Sequence, residues 1–209
     1  MVVHYITAED TASLPEDFFK TCFPRRYAES KKFLYARDSL LSLGAAYLLY
    51  TVLGLREDDI TLSVCGKPLV KDPASSLHFN LSHSGNLVVL ASDKDDVGID
   101  IERIDPENLS VADSVFLPEE EVWMKEKPLE RFHILWTLKE SVMKATGLGF
   151  ELEPASFTVF PDAPGSSHIY NGKEWFSRWM LFDGYALSLA ARHDFEIQVQ
   201  RLSLPESEN

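Results

Sequence analysis

Cysteine is scarce in this chain: Cys22 and Cys65 stand alone in 209 residues, far apart, in apolar settings and without a Cys-x-x-Cys spacing. That fits reduced, buried thiols in a cytoplasmic protein rather than a disulfide framework. Basic residues are also in short supply. Lys and Arg number 20 against 33 Asp and Glu, giving a formal charge of -13 and an isoelectric point near 4.8. So acidic a chain is unsuited to nonspecific nucleic-acid binding or to an anionic membrane surface, since both need basic surface. No apolar run is long enough to span a bilayer, and the first ten residues lack the basic-then-apolar order of a secretory signal. A low-complexity linker between the two halves of the chain is missing too, so the halves are expected to pack intimately.

What is present is ample material for a core, with 45% hydrophobic and 11% aromatic residues. Val2 to Thr7 reads as a strand, Leu14 to Phe23 and Arg26 to Leu34 as helices broken at Pro24, and Asp38 to Leu53 as a nearly uncharged, buried helix ended by Gly54. Ile60 to Val64 is a strand, followed by a Gly66-Lys67-Pro68 turn from which Lys67 projects outward. Phe79 to Ser84 and Leu87 to Ala91 flank Gly85-Asn86 as a hairpin, with Ser82, His83 and Ser84 near its tip. Beyond the charged turn Asp93 to Asp96, short helices are expected at Pro106 to Val115 and Pro118 to Met124, and a long one at Leu129 to Thr146 closed by Gly147. Phe157 to Phe160, Trp175 to Phe182, Tyr185 to Ala191 and Phe195 to Leu202 read as strands, with Asp183-Gly184 as a tight turn. The element order runs strand, helices, strands, and then repeats from near Val97. It suggests an α+β fold of two similar halves, residues 1–96 and 97–202, with a flexible tail at 203–209.

Three features of this layout bear on chemistry. In Val97-Gly98-Ile99-Asp100-Ile101-Glu102, the two-residue period of a strand sends Asp100 and Glu102 to one face, and Ile99, Ile101 and the Gly98 backbone to the other. Two anions side by side repel, and a bound cation is the first reason to consider. In Trp136-Thr137-Leu138-Lys139-Glu140-Ser141-Val142-Met143-Lys144, Glu140 and Lys144 fall on one helical face beside Trp136 and Met143. Arg25, Arg26, Lys31, Lys32 and Arg37 are opposed by Glu29 alone between residues 24 and 37, a basic island in an acidic chain. Asp100, Glu102 and Glu140 offer hard oxygen ligands suited to magnesium, not to a structural zinc. Magnesium shares its coordination with phosphates, and the basic island, Lys67 and His83 would meet their charge.

These motifs resemble those of the 4'-phosphopantetheinyl transferases of the longer, single-chain type. The match lies in Gly98-Ile99-Asp100-Ile101-Glu102, in Trp136 to Lys144 at the family's interval, and in Phe79 to Ser84 preceded by Gly66-Lys67-Pro68. The resemblance implies a pseudo-twofold α+β fold with its active site in the cleft between halves. It implies transfer of the phosphopantetheinyl arm of coenzyme A, as co-substrate, to a serine of an apo acyl or peptidyl carrier protein, releasing adenosine 3',5'-bisphosphate. Asp100, Glu102 and Glu140 would hold magnesium, and Asp100 would also border the coenzyme. Glu140, directly or through a metal-bound water, would help deprotonate the serine, while Lys144 would stabilise or protonate the leaving phosphate. Ser82, His83 and Lys67 would contact the nucleotide. Which of Arg26, Lys31, Lys32 and Arg37 meets the 3'-phosphate stays open, because the helix from Asp38 lacks the basic residue family members often carry there. Glu120 falls where some members place a further acid. A cytoplasmic monomer, internally a pseudo-dimer, is the expected working unit, with an apolar patch and a few local cations docking the carrier. A magnesium-dependent phosphohydrolase and a silent coenzyme A or carrier-binding protein are the rival readings.

Overall fold

A computed structural model of the chain describes residues 1–107, 115–159, 161, 167–170 and 172–204. The first sheet contains β1 (Val2–Thr7), β4 (His78–Ser84), β5 (Leu87–Asp93) and β10 (Gln198–Arg201) in the order β10-β1-β5-β4. The second contains β6 (Val97–Arg103), β7 (Ser167–Tyr170), β8 (Lys173–Phe182) and β9 (Tyr185–Ala191) in the order β6-β9-β8-β7. A small hairpin of β2 (Ile60–Leu62) and β3 (Pro68–Val70) stands apart. The trios β1-β5-β4 and β6-β9-β8 follow the same connectivity, so the repeat suggested by element order is present in the sheets themselves.

Short helices α1 (Ala8–Ala12), α2 (Glu16–Cys22) and α3 (Pro24–Ser30) lead into α4 (Ala36–Leu53); α5 (Pro118–Met124) leads into α6 (Pro128–Thr146). Both long helices stop at a glycine in the left-handed region, Gly54 at φ 71° and Gly147 at φ 75°, where a Cβ would be penalised. α4 packs its Leu41, Ala46, Leu48 and Leu49 with Ile6, Val88 and Leu90 of the first sheet. α6 packs Leu135, Leu138 and Val142 against the second, near Ala186 and Ala190. The opposite faces meet in a shared core of Val3, Leu87, Val89, Ile99, Ile101, Leu187 and Leu189. Each half thus buries a helix on one face of its sheet and its sister sheet on the other, which is why β5 and β9 are apolar almost throughout. No helix among the described residues is long and apolar enough to cross a membrane.

Several expectations are revised. Gly98 shares the face of Asp100 and Glu102, not that of the isoleucines: a Cβ there would lie 2.0 Å from Ser141 O and 2.3 Å from Ala145 N of α6. Cys22 is buried, but Cys65 is exposed; both are free. Strands β3 and β7 were not evident in the residue pattern. Residues 157–159 form no strand, because side chains occupy their backbone: Lys139 Nζ donates to Phe157 O at 2.6 Å and Val159 N donates to Glu120 at 2.9 Å. Strand β10 is shorter than the expected 195–202 and pairs in parallel with β1, so the chain returns to the first sheet. The tail at 205–209 and most of the helix expected at 106–115 lie outside the described residues.

Candidate active site

The edge strands β4 and β6 lie beside each other, and alternation along β4 turns Asn80, Ser82 and Ser84 toward β6. Ser82 Oγ donates to Asp100 Oδ1 at 2.7 Å, and Ser84 Oγ donates to Glu102 Oε2 at 2.7 Å. From the other side, α6 rests its backbone on Gly98 and brings Lys144 to Asp100, Nζ to Oδ1 at 2.6 Å, with a longer bond to Ser82 Oγ at 3.1 Å. Glu140 lies one turn before Lys144 on α6. The structure therefore brings Ser82, Asp100, Glu102, Glu140 and Lys144 to one place at the seam between the two sheets.

The electrostatics follow from that crowding. Burial, and next the Asp100 carboxylate, push Glu140 from 4.5 up to about 7, with the Lys144 ammonium pulling the other way and Glu102 adding to the push. Burial raises Glu102 as well, with the Ser84 hydrogen bond opposing it. His83 is exposed, yet desolvation first and the Lys144 charge next hold it below its ordinary value.

Asp100 is 3% exposed, and its second oxygen, Oδ2, is buried without a hydrogen-bond partner. Buried carboxylate oxygens are normally satisfied, so a bare one beside two further carboxylates is where a hard cation fits. Among the described residues, no three His, Cys, Asp or Glu side chains stand as a ready-made cage. Magnesium does not need one, because it keeps several waters and shares the rest of its shell with substrate phosphates. The donor chemistry fits.

The remaining predicted residues divide. Lys67 points inward, not outward: Nζ donates to Ala145 O at 3.0 Å and Val97 O at 3.2 Å, tying the turn to the end of α6 and the start of β6. It lines a cleft of about 230 Å³ with Cys65, Asn80, Leu81, Met143 and Lys144, between the halves. Arg26 instead lines a separate groove of about 550 Å³ with Phe23, Ser42 and Glu57, and its Nη1 reaches Ser42 O at 3.4 Å. Lys31 pairs with Glu16 at 3.1 Å and sits over the Tyr27 ring. Arg37 lies 4.0 Å from Asp38, and Lys32 is exposed with no ion pair among the described residues, so these two cations are the least engaged. Glu120 is not at the seam. It pairs with Lys139 at 2.9 Å, fully buried, while accepting from Leu117 N and Val159 N, and so clamps α5 and the 154–159 loop to α6. Asn80 and Ser84 were not singled out as site residues, although their two-residue spacing about Ser82 carried the signal.

A model of the 4'-phosphopantetheinyl transferase superfamily matches residues 96–191, which contain β6, α6 and the seam carboxylates. The chain is 29% identical over 206 residues to the 4'-phosphopantetheinyl transferase Sfp of Bacillus subtilis (strain 168), covering 91% of this chain and 92% of that one. It is 34% identical over 178 residues to another 4'-phosphopantetheinyl transferase of Bacillus subtilis, with 78% and 79% covered. It is also 34% identical over 171 residues to the 4'-phosphopantetheinyl transferase gsp of Aneurinibacillus migulanus, with 75% and 70% covered. With identity of this extent spanning both halves, the chain belongs to the 4'-phosphopantetheinyl transferase superfamily.

Proposed function

We propose that this chain transfers the 4'-phosphopantetheine arm of coenzyme A to a serine of an apo acyl or peptidyl carrier protein. The observation that carries the proposal is the seam itself, where Lys144 touches Asp100 at 2.6 Å and Glu140 is pushed up to about 7 beside them. In the reaction the serine oxygen forms a bond to the phosphorus bearing the pantetheine arm, and the bond from that phosphorus to the leaving adenosine 3',5'-bisphosphate breaks. Glu140 takes the serine proton, a general-base role open to a carboxylate one helical turn from Lys144. Lys144 meets the charge that grows on the leaving phosphate, and an ammonium already held by Ser82 and Asp100 needs little reorganisation to do so. Ser82 and His83 hold the nucleotide phosphates, and Lys67 borders the ligand cleft. Magnesium, held by Asp100, Glu102 and Glu140, would neutralise charge on the pyrophosphate.

The labour divides between halves: residues 1–96 supply the nucleotide contacts, and residues 97–202 supply the carboxylates, the proton acceptor and Lys144. Because one chain provides both sides of the seam, a monomer suffices. Lys32 and Arg37, the least engaged cations, are the pair we assign to the 3'-phosphate. Coenzyme A and magnesium as reagents make the cytoplasm the place of action. The test is to incubate the protein with coenzyme A, magnesium and an apo carrier, then weigh the carrier by mass spectrometry. A gain of one phosphopantetheine on the carrier is expected. Breakdown of coenzyme A without carrier gain would mean a phosphohydrolase, and binding without either would mean a silent binder.

A further inference from the structure

No backbone ladder joins β4 to β6, although the two edges lie together. Side chains of β4 supply the links instead, advancing in the same direction along both strands. Asn80 Oδ1 accepts from Ile99 N at 2.9 Å, Ser82 Oγ donates to Asp100 Oδ1 at 2.7 Å, and Ser84 Oγ donates to Glu102 Oε2 at 2.7 Å. Ser84 Oγ also accepts from Arg103 N at 3.0 Å, so this hydroxyl is fixed to the β6 backbone on one side and grips the Glu102 carboxylate on the other. A free glutamate explores many rotamers, and ordering it at the moment of ligand binding costs up to about 2 kcal/mol. A hydroxyl anchored to the same strand does that ordering beforehand.

We propose that Ser84 is a positioning residue: anchored on Arg103 N, it aims Glu102 so that the carboxylate stands beside Asp100 ready for a divalent cation. The inference rests on the metal-binding reading of the seam. It assigns to the first half of the chain a direct hold on a carboxylate of the second, at a residue that need not touch coenzyme A or the carrier. The plain alternative is that Ser84 only covers the exposed edge of β6 by satisfying Arg103 N.

The test is direct binding of Mn2+ to the full chain, read as free Mn2+ by electron paramagnetic resonance with and without coenzyme A. Thermal midpoints are measured in parallel. Ser84→Ala is expected to weaken Mn2+ binding about tenfold, the lower end of what losing an outer-shell partner costs. Ser84→Thr, which keeps the hydroxyl, is expected to bind Mn2+ as the parent does. In a Glu102→Ala background, Ser84→Ala should produce no further loss. A lowered midpoint in Ser84→Ala with parental Mn2+ affinity would reduce Ser84 to an edge cover and overturn the proposal. A parent chain that binds no Mn2+ would overturn the metal reading beneath it. Ser84→Cys, a weaker donor of similar size, answers the same question should Ser84→Ala not fold.

Discussion

Asp100 and Lys144 depend on each other: the carboxylate is almost fully buried and its Oδ1 is held by an ammonium at 2.6 Å. Lys144→Ala should lower kcat by a factor on the order of 100 or more while leaving coenzyme A affinity nearly unchanged. It should also destabilise the fold, by about 3 kcal/mol at most, because it strands a buried charge. Asp100→Ala should weaken magnesium-dependent coenzyme A binding as well. Steady-state kinetics with calorimetric binding would check both, and parental values in both variants would refute the site. Glu140 gives a pH prediction. The folded chain keeps the Glu140 proton up to about pH 7, whereas unfolded glutamate releases it near 4.5. Stability from this group is therefore full below 4.5 and is lost as pH rises through 7. The metal-free thermal midpoint should fall across that window and should do so less in Glu140→Gln, as calorimetry at several pH values would show. The residues of this pair of motifs could be read from sequence, since strand and helix periods place carboxylates and Lys144 on definite faces. Their contacts could not, because Ser82 reaches Asp100 from a strand eighteen residues away.

Among the elements, α6 and β6 are set by one missing side chain. With Ser141 O 2.0 Å and Ala145 N 2.3 Å from where a Cβ would lie, Gly98→Ala cannot be accommodated without moving the helix. A cost of about 3 kcal/mol or more is expected, at the upper end of overpacking, with lost activity because Glu140 and Lys144 ride on the displaced helix. Chemical denaturation and carrier-modification assays would check this; a stable, active variant would contradict the packing. The long helices and the central strands were legible because their apolar patterns are long and their ends carry glycine. The aromatic and β-branched residues at 157–159 have the pattern of a strand, but their backbone obeys a different demand and satisfies Glu120 and Lys139. Lys67 departs from its expected place for a similar reason. A lysine in a Gly-Pro turn is ordinarily solvated, but here two helix- and strand-end carbonyls capture it.

For the whole molecule, the two sheets share the core built on Ile99, Ile101, Leu187, Val89 and Val3, so neither half keeps its buried surface alone. Unfolding should then be a single transition. All four tryptophans, Trp123, Trp136, Trp175 and Trp179, lie in the second half, so their fluorescence reports that half alone. Its midpoint should coincide with that from hydrogen exchange of α4 amides, and separated midpoints would show that the halves melt independently. By itself the sequence determined the repeated order of elements, the long buried helices, the paired acids of β6 and the Glu140–Lys144 face of α6. All of these follow from local periodicity and end signals within a few residues. Only the tertiary structure decided that β10 returns to the first sheet, that Glu120 is a buried clamp and that Gly98 admits α6. It alone set Asn80, Ser82 and Ser84 against β6. Those outcomes depend on which distant surfaces meet, and contact between residues far apart in the chain leaves no periodic trace in either segment.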